Sequence, residues 1–243
     1  MNKRASVIVL LGIFLAVISG IAAALAGLGA SREWWRFTAG LDILRWAAYG
    51  GASAAVLCGI GLAGSLRSRM SSASALAAAG LLIGLATAGI PWGWVQTAKR
   101  VPPIHDITTD TQNPPRFVAI LPLRKDAMNP AEYGGPDIAA LQLKAYPDIK
   151  PLQVRLSPAA AFDKALAAAR ELGWKVVDAD KGKGRIEAVD RTFWFGFQDD
   201  IIIRIAEEAA GSRIDIRSVS RVGKSDIGTN AKRIRAFLKL MQG

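Results

Sequence analysis

The chain is almost empty of the residues that soft metals and redox chemistry need. Its 243 residues include one cysteine, Cys58, and one histidine, His105. No disulfide can close within the chain, and a Cys–His metal site is excluded. An oxidising compartment stays open, because a domain can live there without disulfides. Acids are scarce at the N-terminal end. Residues 1–97 hold two acids against seven Lys/Arg.

Long uncharged stretches fill that end. Three apolar runs lie at about 5–28, 43–66 and 73–95, and each exceeds the roughly 20 residues needed to cross a hydrocarbon core. None has an acid or base in its middle. Arg45 stands at the edge of the second, where it can snorkel, so a proton relay or ion path through these helices is not indicated. Gly, Ala and Ser recur along the runs, which favours close helix packing, with Gly59, Gly61 and Gly64 as packing positions. Such spans also offer a surface for self-association or for a larger membrane complex.

Tryptophan marks one membrane face. Trp34, Trp35 and Trp46 lie around the junction of the first two runs, and Trp92 and Trp94 at the end of the third. With three spans, all five fall on one side, as an aromatic belt at the headgroups. Counting positive charge does not orient the spans. Lys3, Arg4, Arg67 and Arg69 lie on one side, and Arg32, Arg36, Arg45, Lys99 and Arg100 on the other. The short basic tail MNKR argues for a cytoplasmic N-terminus and a periplasmic C-terminal domain in a bacterial inner membrane. A cleaved signal peptide ending near residues 24–26 is the alternative; the first run is longer than such a segment usually is.

Residues 98–152 are proline-rich and read as an ordered, mostly irregular arm with a short strand near 117–120. His105 lies in this arm beside Asp106. It serves either as a structural contact or as a general base, and the second role needs a partnered nucleophile.

Residues 153–243 read as a separate unit. QVRL is a strand. Ser157 followed by Pro158 starts a helix, Phe162, Leu166, Ala169 and Leu172 form its apolar stripe, and Gly173 ends it. WKVVDAD and RIEAVDRT are strands joined by KGKG. DIIIRIA and RIDIRSVS follow, joined near Gly211. In the last strand Ile214 and Ile216 alternate with Arg213, Asp215 and Arg217, giving one buried and one polar face. Asp226 or Thr229 caps a final helix lined by Ile234, Phe237, Leu238 and Met241. Strand, helix, four strands, helix is an α+β order: an antiparallel sheet with helices packed on one face.

These residues carry a resemblance. HDITTD, RIEAVDRTFWFGFQDD and IDIRSVSRVGKSDIGTNAKRIRAF are similar to the bacterial and plastid family catalogued as domain of unknown function 1499, over about residues 105–240. The three-span start resembles the proteobacterial membrane-anchored form. Shorter members resemble secreted lipoproteins, which implies an outside location for the domain. Members often carry an Asn-Cys-Val element where this chain has NPPRFVAI, so no role of that cysteine transfers. The family has no established activity, so the resemblance implies no catalytic residues.

Two segments stand out as sites. In RTFWFGFQDD, Phe193, Phe195 and Phe197 either point together into the core, with Gly196 permitting a bulge, or belong with Trp194 to an exposed tip that touches lipid or an apolar ligand. Asp199 and Asp200 either pair with arginines or act as acid–base or cation-binding groups. In SVSRVGKSDIGTNAKRIR, the GKS triplet is not a phosphate loop: Ser218 stands where the first glycine would be, and the strand–loop–helix order is missing. Arg217, Arg221, Lys224 and Arg233 either gather as an anion site at the last helix's N-terminus or pair with Asp215, Asp226 or Asp199 to hold the junction.

The expected function is a non-enzymatic envelope interaction or ligand-binding module without metal or cofactor. Its expected partners are membrane lipids and anionic envelope ligands or envelope proteins, not nucleic acid. The alternatives are an envelope hydrolase using His105 or Asp199/Asp200, and a subunit of a membrane complex.

Overall fold

A computed structural model describes residues 3–67, 69 and 71–243. Met1 and Asn2 of the basic tail lie outside the described residues, as do the side chains of Lys3 and Arg4. The chain divides into two units. The first comprises Met1–Thr97 and the tetrapeptide Phe193–Gly196; the second comprises Ala98–Thr192 and Phe197–Gly243.

The first unit is built on three helices, α1 (Lys3–Ser31), α2 (Phe37–Arg67) and α3 (Ser71–Arg100). All three are long and apolar enough to cross a membrane. At 1.5 Å per residue each measures about 45 Å, more than a hydrocarbon core of about 30 Å. Their ends therefore carry the interfacial residues: Trp46 and Arg45 lie inside α2, and Trp92, Trp94 and Lys99 inside α3. Arg45 pairs with Asp42 one turn away, at 3.1 Å and in an exposed position.

Small residues set the helix contacts. A Cβ at Gly12 or at Gly80 would fall 2.7 or 2.5 Å from Cys58 Sγ, so the thiol sits where α1, α2 and α3 meet. A Cβ at Gly61 would meet Val9 at 2.5 Å, whereas a Cβ at Gly59 would meet none of the described residues within 4 Å. The expectation for Gly59 was wrong because a two-residue step turns it to the opposite side of the helix from Gly61.

The second unit is an antiparallel sheet in the order β1-β6-β5-β4-β3, with β2 also pairing β6. Its strands are β1 (Asp106–Thr108), β2 (Leu152–Val154), β3 (Lys175–Asp180), β4 (Arg185–Arg191), β5 (Gln198–Glu208) and β6 (Gly211–Ser220). Its helices are α4 (Gly135–Ala145), α5 (Pro158–Glu171) and α6 (Thr229–Gln242). Ser157 Oγ accepts the Ala160 N–H and Pro158 follows at the first helical position; Gly173 takes a φ of +77° just past the helix end. These local signals place α5 as expected.

One sheet face packs on α5 and α6. Ile186, Ile201, Ile203, Ile205, Ile214 and Ile216 meet Phe162, Ala165, Ile234 and Phe237, and Trp174 stacks on Phe237 at 5.8 Å. The other face was expected to be the polar one. It is polar and buried: Asp215, Arg217 and Glu187 are each at most 1% exposed. The arm covers it. Phe117 and Ile120 lie on Ile202 and Val219 and close a second, smaller core.

The arm also departs from the expected form. Residues 117–120 are not a strand; a short 3-10 helix, Leu121–Arg124, follows them. Thr108 and its neighbours form β1 instead, and α4 was not foreseen. Gln142 of α4 accepts the Thr108 N–H at 3.0 Å and donates to the Thr108 carbonyl at 2.6 Å. One side-chain amide thus serves as the missing neighbour of a three-residue edge strand.

Candidate functional site

The arm-covered face is a ladder of charges, and the pleat explains it. Along β4, β5 and β6, alternate residues point away from the helices. This brings Glu187, Asp200, Arg204, Arg213, Asp215 and Arg217 to one surface. Most of these would be costly to bury alone, and each has a partner.

Glu187 holds the arm. Its carboxylate accepts the backbone N–H groups of Val118, Ala119 and Ile120, at 2.9–3.2 Å, and lies 3.0 Å from Arg185 Nε. Those N–H groups belong to the turn that leads into the 3-10 helix, and the carboxylate satisfies all three of them at once. Asp200 receives the two-pronged Arg221 at 2.7 and 2.9 Å, and Arg124 from the arm pairs with it as well. Asp110 of the arm bridges Arg204 and Arg213, which both reach Asp215.

Arg217 is the centre of this face. It donates twice to Asp106, at 2.9 and 2.7 Å, and to the carbonyls of Pro115 and Ala131. Its guanidinium also lies 5.3 Å from the Phe117 ring centre and 5.6 Å from that of Tyr133, both in cation–π range. Burial pushes the Asp106 carboxyl up, with Arg217 pulling the other way.

A pocket of about 450 Å³ opens against Arg217, walled by Phe117, Leu121 and Tyr133, with Arg116 and Glu132 exposed beside it. Its size falls within the roughly 300–1,000 Å³ of ligand sites. The Tyr133 hydroxyl is buried with no hydrogen-bond partner among the described residues, and burial together with nearby Asp106 pushes its pKa up to about 12.

The residues singled out from the sequence are distributed as follows. Asp199 and Asp200 are neighbours on one strand and point to opposite faces, so their carboxylates do not converge. Asp199 pairs with Arg233 of α6 at 2.8 Å, and Arg233 also reaches Asp190 at 2.6 Å. Arg217, Arg221 and Arg233 thus each hold different carboxylates, and Lys224 is exposed. The start of α6 already has an anion: Asp226 accepts the Gly228 and Asn230 N–H groups at 2.9 and 2.5 Å. Thr229, the other capping candidate, is the first helical residue, and Gly228 precedes it in a left-handed conformation. His105 acts through its carbonyl, which accepts from Ser220 N–H and from the Asn230 side chain. No group of three His, Cys, Asp or Glu able to hold a metal ion occurs among the described residues.

The segment 193–197 is a turn, not an extended strand, so the expected period-two alternation of its aromatics does not hold. Thr192 and Phe197 close it, with the Thr192 N–H donating to the Phe197 carbonyl at 2.9 Å. Phe193 is 96% exposed and Phe195 is buried. Within the helical unit, Trp194 Nε1 donates to the Ala24 carbonyl at 3.0 Å, and its ring lies 5.4 Å from that of Trp94.

The sequence reading named Arg217 for an anion site and did not foresee the pocket beside it or its pairing with Asp106. Phe117, Arg116 and Tyr133 come from a stretch whose prolines signal only irregular structure, and nothing local shows that it folds back onto β6. The one available signal was the polar alternation of β6, which an arm can bury as readily as water can wet it.

No curated protein matches the chain. The model of the family described as protein of unknown function (DUF1499) matches residues 106–241, more than half of the chain and nearly all of the second unit. The chain therefore belongs to the DUF1499 family.

Proposed function

We propose that this is a bacterial inner-membrane protein whose C-terminal domain lies in the periplasm and serves as a non-catalytic binding module. One observation supports binding over chemistry above all. The candidate acid–base carboxylates are locked to arginines, Asp200 by Arg124 and Arg221 and Asp199 by Arg233, while an aromatic-walled pocket stands against Arg217. The Asp200–Arg124 pair holds the arm in place and the Asp199–Arg233 pair holds α6, and the pocket beside Arg217 is a concave surface with convergent polar groups. Phe193, almost fully exposed, suits contact with lipid.

The outward placement rests on the basic N-terminal tail and three spans. A periplasm-active reporter and a cytoplasm-active reporter, each fused after Gly243, test it. Activity of the periplasmic reporter alone is the expected result. Activity of the cytoplasmic one alone overturns the reading and returns nucleotides and nucleic acid as partners of the basic C-terminal segment.

A further inference from the structure

The pocket beside Arg217 has a definite chemical character. Its walls are aromatic and aliphatic, through Phe117, Leu121 and Tyr133. Its charges cancel. Arg217 is neutralised by Asp106 inside, and the exposed lining carries one cation, Arg116, and one anion, Glu132. A simple anion would gain from Arg116 and lose to Glu132. An apolar body bearing both a phosphate and an ammonium would satisfy both.

The turn next to the pocket exposes apolar side chains beside the charged pair Lys125 and Asp126. Val118, Leu121, Leu123 and Met128 are all exposed, between 45% and 67%. They are not loosely held. Glu187 fixes the backbone of residues 118–120, and Arg124, between two of them in sequence, is anchored on Asp200. A rigid turn that shows four large apolar side chains to solvent, with Leu121 shared with the pocket wall, is a surface built for contact with an apolar phase. The three spans keep the chain at a membrane.

We infer that the pocket binds a zwitterionic amphiphile of the phosphatidylethanolamine type, whose apolar part continues along the exposed turn at residues 118–128. The phosphate pairs with Arg116 and the ammonium with Glu132, and the first part of an acyl chain lies against Phe117, Leu121 and Tyr133. This rests on the pocket-binding reading above.

The test uses the full chain, reconstituted in vesicles of equal phosphatidylethanolamine and phosphatidylglycerol, re-extracted in mild detergent and weighed intact by native mass spectrometry. Ala131→Trp fills the pocket from its wall. Arg116→Glu with Glu132→Arg exchanges two exposed charges without touching the core. Lipid bound around the spans is common to all variants, so only differences count. The expected result is one phosphatidylethanolamine retained by the wild type, at least fivefold over phosphatidylglycerol, and lost in Ala131→Trp. Arg116→Ala alone, which leaves an anionic rim, should lower that retention at least threefold, whereas the charge exchange retains the lipid.

A phosphatidylglycerol preference, or a water-soluble adduct in place of lipid that Ala131→Trp removes, overturns the amphiphile and leaves the pocket reading standing. Identical spectra for wild type and a folded Ala131→Trp, checked by far-ultraviolet circular dichroism, overturn both.

Discussion

Arg217 and Asp106 meet in a two-point ion pair, with both nitrogens within 2.9 Å of the carboxylate, across 111 residues of chain. The pair joins the first strand of the arm to the last strand of the sheet, and both side chains are almost wholly buried. Burying two charges this way costs desolvation that the pairing only roughly offsets. Its consequence is position: the arm has one register on β6, and Phe117 and Tyr133 take their places about the guanidinium.

Removing one partner should therefore be far worse than removing both. Arg217→Ala leaves Asp106 buried and alone, and a loss of about 3–5 kcal/mol is expected. Asp106→Leu with Arg217→Met should cost about 2 kcal/mol or less, because apolar replacements of similar volume leave no stranded charge. Urea titration of the full chain in detergent, read by pulse proteolysis, gives both values. Equal losses for the single and double variants would remove the buried pair as an organising contact.

Glu187 makes a second prediction, about the arm alone. Glu187→Gln keeps the size of the side chain but removes the charge that three backbone N–H groups share. Charge-assisted hydrogen bonds contribute about 1.5–3 kcal/mol each at most, and a neutral amide oxygen recovers part of this. A net loss of roughly 2 kcal/mol is expected. The local sign is more telling: residues 116–128 should become the first site of cleavage by trypsin under native conditions, at Arg116, Arg124 or Lys125. Unchanged protection there would show that apolar packing of Phe117 and Ile120 is enough to hold the turn.

Tyr133 provides a pH test. Burial and nearby Asp106 push its hydroxyl pKa up to about 12 from an ordinary 10.0. Burial disfavours the phenolate in the fold, so the hydroxyl leaves stability independent of pH below 10 and lowers it as pH rises from 10 through about 12. Tyr133→Phe removes that dependence. The hydroxyl has no partner, so the change should leave neutral-pH stability equal or improved by about 1 kcal/mol. Absorbance at 295 nm followed against pH should show one fewer late-titrating tyrosine in the variant. A loss of stability at pH 7 would mean that the hydroxyl is satisfied in solution, by water or by a ligand.

The contrast between these residues shows what the sequence carried. Elements with local signals were legible: Ser157-Pro158 and Gly173 bracket α5, the apolar runs mark α1 to α3, and the alternation of β4 to β6 gives the sheet. What was not legible is long-range. Nothing near Gln142 says that its amide will stand in for a strand beside Thr108, and nothing near Glu187 says that its partners lie about seventy residues earlier. Proline in the arm predicts only where helices cannot run. The alternation of β6 shows two faces, one apolar and one polar, but not the arm that lies over the polar one, because periodicity reports polarity and not what covers it.

The last prediction concerns Gly27 and Trp194, both in the helical unit. A Cβ at Gly27 would lie 2.2 Å from the indole ring, closer than any neighbour could tolerate, and the ring is held by its bond to the Ala24 carbonyl. Gly27→Ala must therefore move the tryptophan or part the backbone. In an α-helix alanine is otherwise favoured over glycine by about 1 kcal/mol, so the substitution would be stabilising if the ring were absent. The sign should accordingly depend on the partner. Gly27→Ala alone should lower the melting temperature of the detergent-solubilised chain, and in a Trp194→Ala background it should raise it. A coupling of about 1 kcal/mol or more between the two changes is expected for groups in direct contact. The same effect of Gly27→Ala in both backgrounds would show that Trp194 does not occupy the glycine's surface.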